Sequence, residues 1–403
     1  MSSFLEKFKL SKYQINSDGG MIYVDWKVKN WLDSIEKGGF SQKSDAEIEI
    51  YKKITKSGFE ENLMIKPPEN FPTISLIVVI YNSENWFENL RKMFTNLSPW
   101  LLEIIVVDNG SIDGSLDGLK QAEQPVKIIE NKDSISFAAA VNQGINLASG
   151  ELFLIINPDV YVPKSSLWSL INFYQIKSDA AAIVPKLMLM KTPGFINGIG
   201  NIVPPFRWGY DLGLGHLDVG QFDHIKEVPS ACFAMVLIPK EKWILVGELD
   251  EIYPMYYEDS DWSYRARRKG FDILVDTNCL TYHAYRSYHQ NKNERISKEK
   301  LYRVTYGRLV FVIKNINSPK RYLYILSYLL FDLIYMIYSF IINKLNFRFS
   351  SSIISGWLKF LKQNFISHKF IKLSFMRIDS SLNPVIRNGI PELRWHNLRN
   401  FID

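Results

Sequence analysis

The chain has 403 residues, 47% of them hydrophobic and 14% aromatic, with 22 Gly and 17 Pro, which excludes a disordered or fibrous protein and leaves room for two or three structural units. The net charge of +6 is uneven: residues 286–378 hold 17 Lys and Arg against 3 acidic residues, so the remainder is net acidic. Cys232 and Cys279 lie far apart in apolar runs and give no disulfide framework, and residues 1–30 hold no apolar core of signal-peptide length, so a reducing cytosol is the expected setting.

Residues 1–70 predict a mostly helical extension with clustered Lys and Glu, closed by Lys66-Pro67-Pro68. The β-branched run Ile74–Ile80, between Pro72 and Asn82, predicts a buried parallel strand. A helix over Glu84–Asn96, a strand over Glu103–Val107, a helix near Gly114–Gln121, a strand over Val126–Glu130, a helix over Ile135–Ala148 and a strand over Glu151–Ile156 follow. This alternation predicts an α/β fold with an open, mostly parallel sheet and helices on both faces. Ligands of such sheets bind beyond the carboxyl ends of the strands. Chemistry is therefore expected at Tyr81-Asn82, at Asp108-Asn109-Gly110-Ser111 and at Asn157-Pro158-Asp159. Gly194–Asp223, rich in Gly and aromatics, predicts a long irregular loop suited to a lid or acceptor surface.

Asp159, directly after a buried strand, can hold Mg²⁺ or Mn²⁺ through oxygen, although Asn-Pro-Asp is also a turn sequence. Asp108 has the same two readings, as a turn residue or as an acceptor for a base or ribose. In Tyr256-Tyr257-Glu258-Asp259-Ser260-Asp261-Trp262, three acids in four residues repel one another unless compensated. On a helix Asp261 can pair with Arg265 four residues on, leaving Asp259 on another face as a general base, while Glu258 also suits an acidic helix start. His283 follows the apolar run Ile273–Leu280 and could complete a metal site with Asp159. No zinc-type spacing, Walker loop or serine elbow is present in the sequence.

Taken together, residues 72–290 resemble the inverting family 2 glycosyltransferases with a GT-A fold, especially the bacterial rhamnosyltransferase-like branch. The marks are Pro72 to Asn82, Val106 to Ser111, Asn142-Gln143-Gly144-Ile145, Asn157-Pro158-Asp159, Gly247-Glu248-Leu249-Asp250, Tyr257 to Trp262, Arg265, and His283 with Ser287. The resemblance implies transfer of rhamnose or a similar sugar from a dTDP- or UDP-linked donor to a hydroxyl of a glycan or lipid-linked glycan, in cell-surface polysaccharide or glycolipid synthesis. It puts Tyr81, Asn82, Asp108, Asn142 and Asn157 at the nucleotide, and Asp159 with His283 at a divalent metal and the diphosphate. It assigns catalysis to the cluster of Glu258, Asp259 and Asp261 with Arg265, Asp259 fitting the base best. Ser136, Trp262 and Ser230-Ala231 depart from the family pattern, the first two at positions expected to shape the donor pocket. A nucleotide-sugar-binding scaffold without catalysis is the alternative.

Residues 291–403 predict a basic helical region. Tyr322–Ile342 is long enough to span a bilayer, yet Tyr324, Tyr328, Asp332, Tyr335 and Ser339 form one polar stripe, and Asp332 favours an interfacial or protein-packed helix. Ile353–Lys362 adds a second amphipathic, basic piece. Together they predict peripheral attachment to the anionic inner face of the cell membrane rather than nucleic-acid binding, with an ordinary helical subdomain as the alternative.

Overall fold

The computed structural model describes residues 10–14, 21–25, 71–120, 125–190, 192–218, 220–285, 297–317, 319–342 and 348–366. Within the first 70 residues the described pieces are two antiparallel strands, β1 (Leu10–Gln14) and β2 (Met21–Asp25), in place of the helix expected there. The rest of that extension, and Ser287, lie outside the described residues.

β3 (Ile74–Ile80) is buried over its whole length and followed by α1 (Phe87–Leu97), β4 (Glu103–Asp108), α2 (Ser115–Lys120), β5 (Val126–Glu130), α3 (Phe137–Leu147) and β6 (Leu152–Ile156). Its side chains alternate between two cores, as strand geometry requires. Leu76, Val78 and Ile80 meet Leu90, Met93 and Phe94 of α1, while Ile77 and Val79 lie in the core that holds Ala138, Val141 and Ile145 of α3. Gly144 lets α3 come close, because a Cβ there would stand 2.6 Å from Ile77 Cγ2. Ser136 caps α3 by accepting from the Ala139 N–H at 3.1 Å, which accounts for that departure from the family pattern.

The chain continues through β7 (Val160–Tyr161), α4 (Lys164–Ile176), β8 (Ala182–Leu189), β9 (Thr192–Gly198), β10 (Asn201–Ile202), β11 (Tyr210–Asp211), β12 (Met235–Pro239), α5 (Lys240–Val246), α6 (Glu258–Arg268) and β13 (Ile273–His283). The large sheet runs β5-β4-β3-β6-β12-β8-β13-β7, with β9 beside β8. β5, β4, β3 and β6 are mutually parallel, as is the pair β8 and β13, but β12 runs antiparallel to β6 and β8, and β7 and β9 are antiparallel edges. The mostly parallel sheet expected is thus mixed. The expected irregular stretch Gly194–Asp223 includes the end of β9 and the β10–β11 pair.

Three helices follow among the described residues: α7 (Lys298–Asn315), α8 (Lys320–Ile342) and α9 (Arg348–Ile366). A third core of Tyr253, Tyr257, Tyr306, Leu309, Phe311 and Tyr328 joins them to the loop before α6. Both cysteines are free thiols.

Candidate active site

The short strand β7 assembles the first half of the site. It follows the Asn157-Pro158-Asp159 turn at the end of β6 and pairs with the end of β13 in the register His283↔Val160 and Tyr282↔Tyr161. The Ala284 N–H donates to the Asp159 carbonyl at 2.9 Å. These bonds bring His283 Nε2 to 3.3 Å from Asp159 Oδ1, while Nδ1 lies 2.6 Å from Oδ1 of the buried Asn197.

Both neighbours of the ring are acceptor oxygens, and a neutral imidazole has one N–H. A neutral ring therefore faces one of them with a lone pair, and a second proton or a cation relieves that repulsion. An Nδ1–H held by an amide oxygen, with Nε2 beside a carboxylate, is also how histidine is presented to a metal. The pair thus fits a hard divalent ion as two of its ligands. Among the described residues, no group of three or more His, Cys, Asp or Glu could hold such an ion alone.

The second half of the site is the start of α6. Tyr256 and Tyr257 both have positive φ, 69° and 74°, a conformation costly for bulky residues. Tyr257 Oη accepts from the Gly209 N–H at 2.9 Å, and its ring lies in the third core. This bend leads into α6 so that Glu258 is buried while Asp259 stays partly open to solvent. Asn201 Nδ2 donates to Asp259 Oδ2 at 2.7 Å, and the Ser260 N–H to its Oδ1 at 2.6 Å. Enclosure by protein pushes Asp259 up to about 6, with Asp211 adding repulsion against the Ser260 bond. Burial and the neighbouring Asp259 push Glu258 up to about 8, and its Oε2 has no hydrogen-bond partner among the described residues.

Asp211 lies beside Asn201, and sequence reasoning missed it. It pairs with Asn201 across the β10–β11 ladder and fits beneath Gly198, where a Cβ would stand 3.1 Å from its own. Burial raises Asp211 to about 6 against the pull of Lys300 and His283. Strands of two residues are too short for a periodic signal, so only an acid amid Gly and aromatics marked it.

Tyr81, Asn82 and Asp108 sit together at the carboxyl ends of β3 and β4, with Ile80 paired to Asp108. Asp108 is buried and its Oδ1 accepts from the Ser111 N–H at 3.1 Å; Asn82, at φ 48°, accepts from the Ile112 N–H at 2.9 Å. Tyr81 is exposed and Asn157 half-buried at the end of β6. These four lie at the carboxyl ends of β3, β4 and β6.

Four assignments are corrected. Asn142 is locked to the turn before α6, donating to the Leu249 carbonyl at 3.0 Å and accepting from its N–H at 3.1 Å, so it braces rather than faces a ligand. Asp261, 0% exposed, accepts from Tyr253 Oη, Asn315 Nδ2 and Arg265 Nε at 3.1, 2.7 and 2.9 Å and pairs with Lys314 at 3.0 Å. Burial alone would raise it, but Lys314 and Arg265 hold the carboxyl below its ordinary value, as in an internal brace. Arg265 turns its remaining donors to the Val246, Gly247 and Glu248 carbonyls, so neither it nor Asp261 is placed for catalysis. Trp262 is core, stacked on Trp243 and bonded to the Gly247 carbonyl, and does not shape a donor pocket. Ser230 and Ala231 hold α6 in place through Ser260 and Ser263.

Residues 75–188, from β3 to the end of β8, match the model of the family described as Glycosyl transferase family 2. Over this segment the chain is similar to family 2 glycosyltransferases. The fold around it is an α/β domain with a mixed sheet and a helical C-terminal region. Among curated relatives, a low-salt glycan biosynthesis hexosyltransferase of Haloferax volcanii is 26% identical over 209 residues, covering 50% of this chain and 63% of its own. A poly(ribitol-phosphate) beta-glucosyltransferase of Bacillus spizizenii is 33% identical over 227 residues, covering 50% of this chain and 33% of its own. This chain thus spans less than two thirds of either relative. The Pyrobaculum calidifontis mannosyltransferase solved with GDP-Man and Mn²⁺ aligns over 78% of this chain and 94% of its own, at TM-score 0.45 and 13% identity.

Proposed function

We propose that the chain is an inverting glycosyltransferase that passes a hexose, rhamnose or a similar sugar, from a dTDP- or UDP-linked donor to a hydroxyl of a growing cell-surface glycan or lipid-linked glycan. The observation that carries this is that one stretch, Asn197 to Asn201, bonds both halves: Asn197 meets His283, which lies 3.3 Å from Asp159 at the end of β6, and Asn201 bonds Asp259 at the start of α6. The family 2 match and the glycan-building activities named for the relatives support the same reading.

Asp259, ionised and aligned by Asn201, takes the proton of the acceptor hydroxyl as its oxygen bonds to the anomeric carbon. The bond from that carbon to the diphosphate breaks on the opposite side, and the nucleoside diphosphate leaves with the electron pair, so configuration inverts. Tyr81, Asn82, Asp108 and Asn157 hold the nucleoside end of the donor. Asp159 and His283 would hold Mg²⁺ or Mn²⁺, which neutralises diphosphate charge when bound. Glu258, protonated at neutral pH, adds no charge beside the base.

The test is product stereochemistry: the chain with Mn²⁺, a panel of UDP-, dTDP- and GDP-linked sugars and glycan acceptors, read by the anomeric proton coupling. Inversion is expected. Retention refutes the single displacement, and nucleotide-sugar binding with no turnover on any acceptor would support a scaffold.

A further inference from the structure

Helix α8 is built with its polarity reversed. Tyr328, Asp332 and Ser339, on one stripe, are its buried residues, whereas Leu323, Leu326, Leu330, Leu333, Ile334 and Ile337 are 44–66% exposed. At 100° per residue those six lie on the side opposite the stripe. A water-facing helix buries the other set. Ile354, Leu358 and Leu361 of α9 are exposed as well, and clustered exposed apolar side chains of this kind mark an interaction site.

The stripe is anchored in the protein. Asp332 pairs with the fully buried Arg308 and accepts from Trp357 Nε1 at 2.7 Å. Tyr328 Oη donates to the Pro204 carbonyl at 2.8 Å, and the Trp208 ring packs on Phe331 and Tyr335 at 5.1 and 4.8 Å. The middle of α8 is therefore fastened to the segment between β10 and β11.

We propose that the outer face of α8, with the adjoining face of α9, seats in the headgroup-to-acyl boundary of an anionic bilayer, the helix axis lying in the membrane plane. By length and composition α8 could cross a membrane. Crossing would carry residues 204–208 and the Arg308–Asp332 pair to the depth of the hydrocarbon, where polar groups are expensive; lying flat keeps them on the water side. Charge selects the occupant. Residues 286–378, with 17 basic against 3 acidic side chains, would repel the same region of a second copy but attract anionic headgroups. Lys320 and Lys362 stand exposed on the two apolar helices.

The test is flotation of the full chain with phosphatidylcholine vesicles, with and without phosphatidylglycerol. Leu330→Glu/Ile334→Glu/Ile337→Glu is compared with Ile244→Glu, an exposed apolar position on α5. The expected result is flotation with the anionic vesicles, reduced by salt, weakened by about tenfold or more in the triple variant and unchanged in the control, with nucleotide binding kept in both. Equal flotation of the triple variant overturns the proposal. So does carbonate-resistant insertion of the wild type, which would mean a span, or a vesicle-indifferent dimer that the triple variant makes monomeric.

Discussion

His283 Nε2 stands 3.3 Å from Asp159 Oδ1, brought there by a two-residue strand that pairs the start of β7 with the end of β13. His283→Ala removes one of the two residues fitted to the ion. Mn²⁺ binding in the presence of a nucleoside diphosphate, followed by the ion's electron spin resonance, is expected to weaken by about 10- to 100-fold, the scale of lost support at metal sites. The fold should remain intact. Unchanged Mn²⁺ affinity would remove His283 from the metal's surroundings.

Asn201 acts on the base rather than on the substrate. Its 2.7 Å bond favours the ionised form of Asp259, so Asn201→Ala should move the acidic limb of the kcat profile to higher pH and lower kcat by about tenfold at pH 6, with KM for the donor little changed. A uniform fall at every pH would indicate a structural role only.

The wild-type profile has a sign of its own. A base must be ionised, and Asp259 is raised to about 6 from an ordinary value of 3.8, so kcat should fall below about pH 6. A limb below pH 5 would contradict the placement of Asp259.

Glu258 gives the complementary prediction. Its folded value of about 8 lies above the ordinary 4.5, so the folded state binds more protons across that window and the acid's contribution to stability is lost as pH rises through it. Glu258→Gln has no such slope. Its melting temperature should gain on the wild type by several degrees between pH 5 and 8, and a gap constant with pH would contradict the raised acid.

Arg308 and Asp332 are both buried, and a lone buried charge costs far more than a missing pair. Arg308→Met should destabilise by about 3–5 kcal/mol in urea unfolding, and adding Asp332→Leu should recover much of the loss. A neutral single variant would show that water reaches the pair.

The elements legible in the sequence were those with a two-sided or periodic pattern. The span of β3 matches the β-branched run Ile74–Ile80, and α3 starts at the Ser136 cap within the expected helix. The polar stripe of α8 was visible from Tyr324 to Ser339, but only Arg308 and Trp357, far away in sequence, show that it faces inward. The antiparallel insertions β7 and β9 to β11 were not legible, being short or rich in Gly, and with them went Asn197, Asn201 and Asp211. The acidic cluster was visible as a cluster only; its division into base, buried acid and brace depends on Asn201, Lys314 and Asn315, which no local pattern links to it.

The most direct test is nucleoside diphosphate release from UDP-, dTDP- and GDP-linked sugars with Mn²⁺, by the wild type and by Asp259→Asn. The wild type should turn over at least one donor, and the variant should lose about 10²–10⁴-fold in kcat while binding the nucleotide as before. Full turnover by Asp259→Asn, or no turnover of any donor by the wild type, would contradict a transferase that works through this carboxylate.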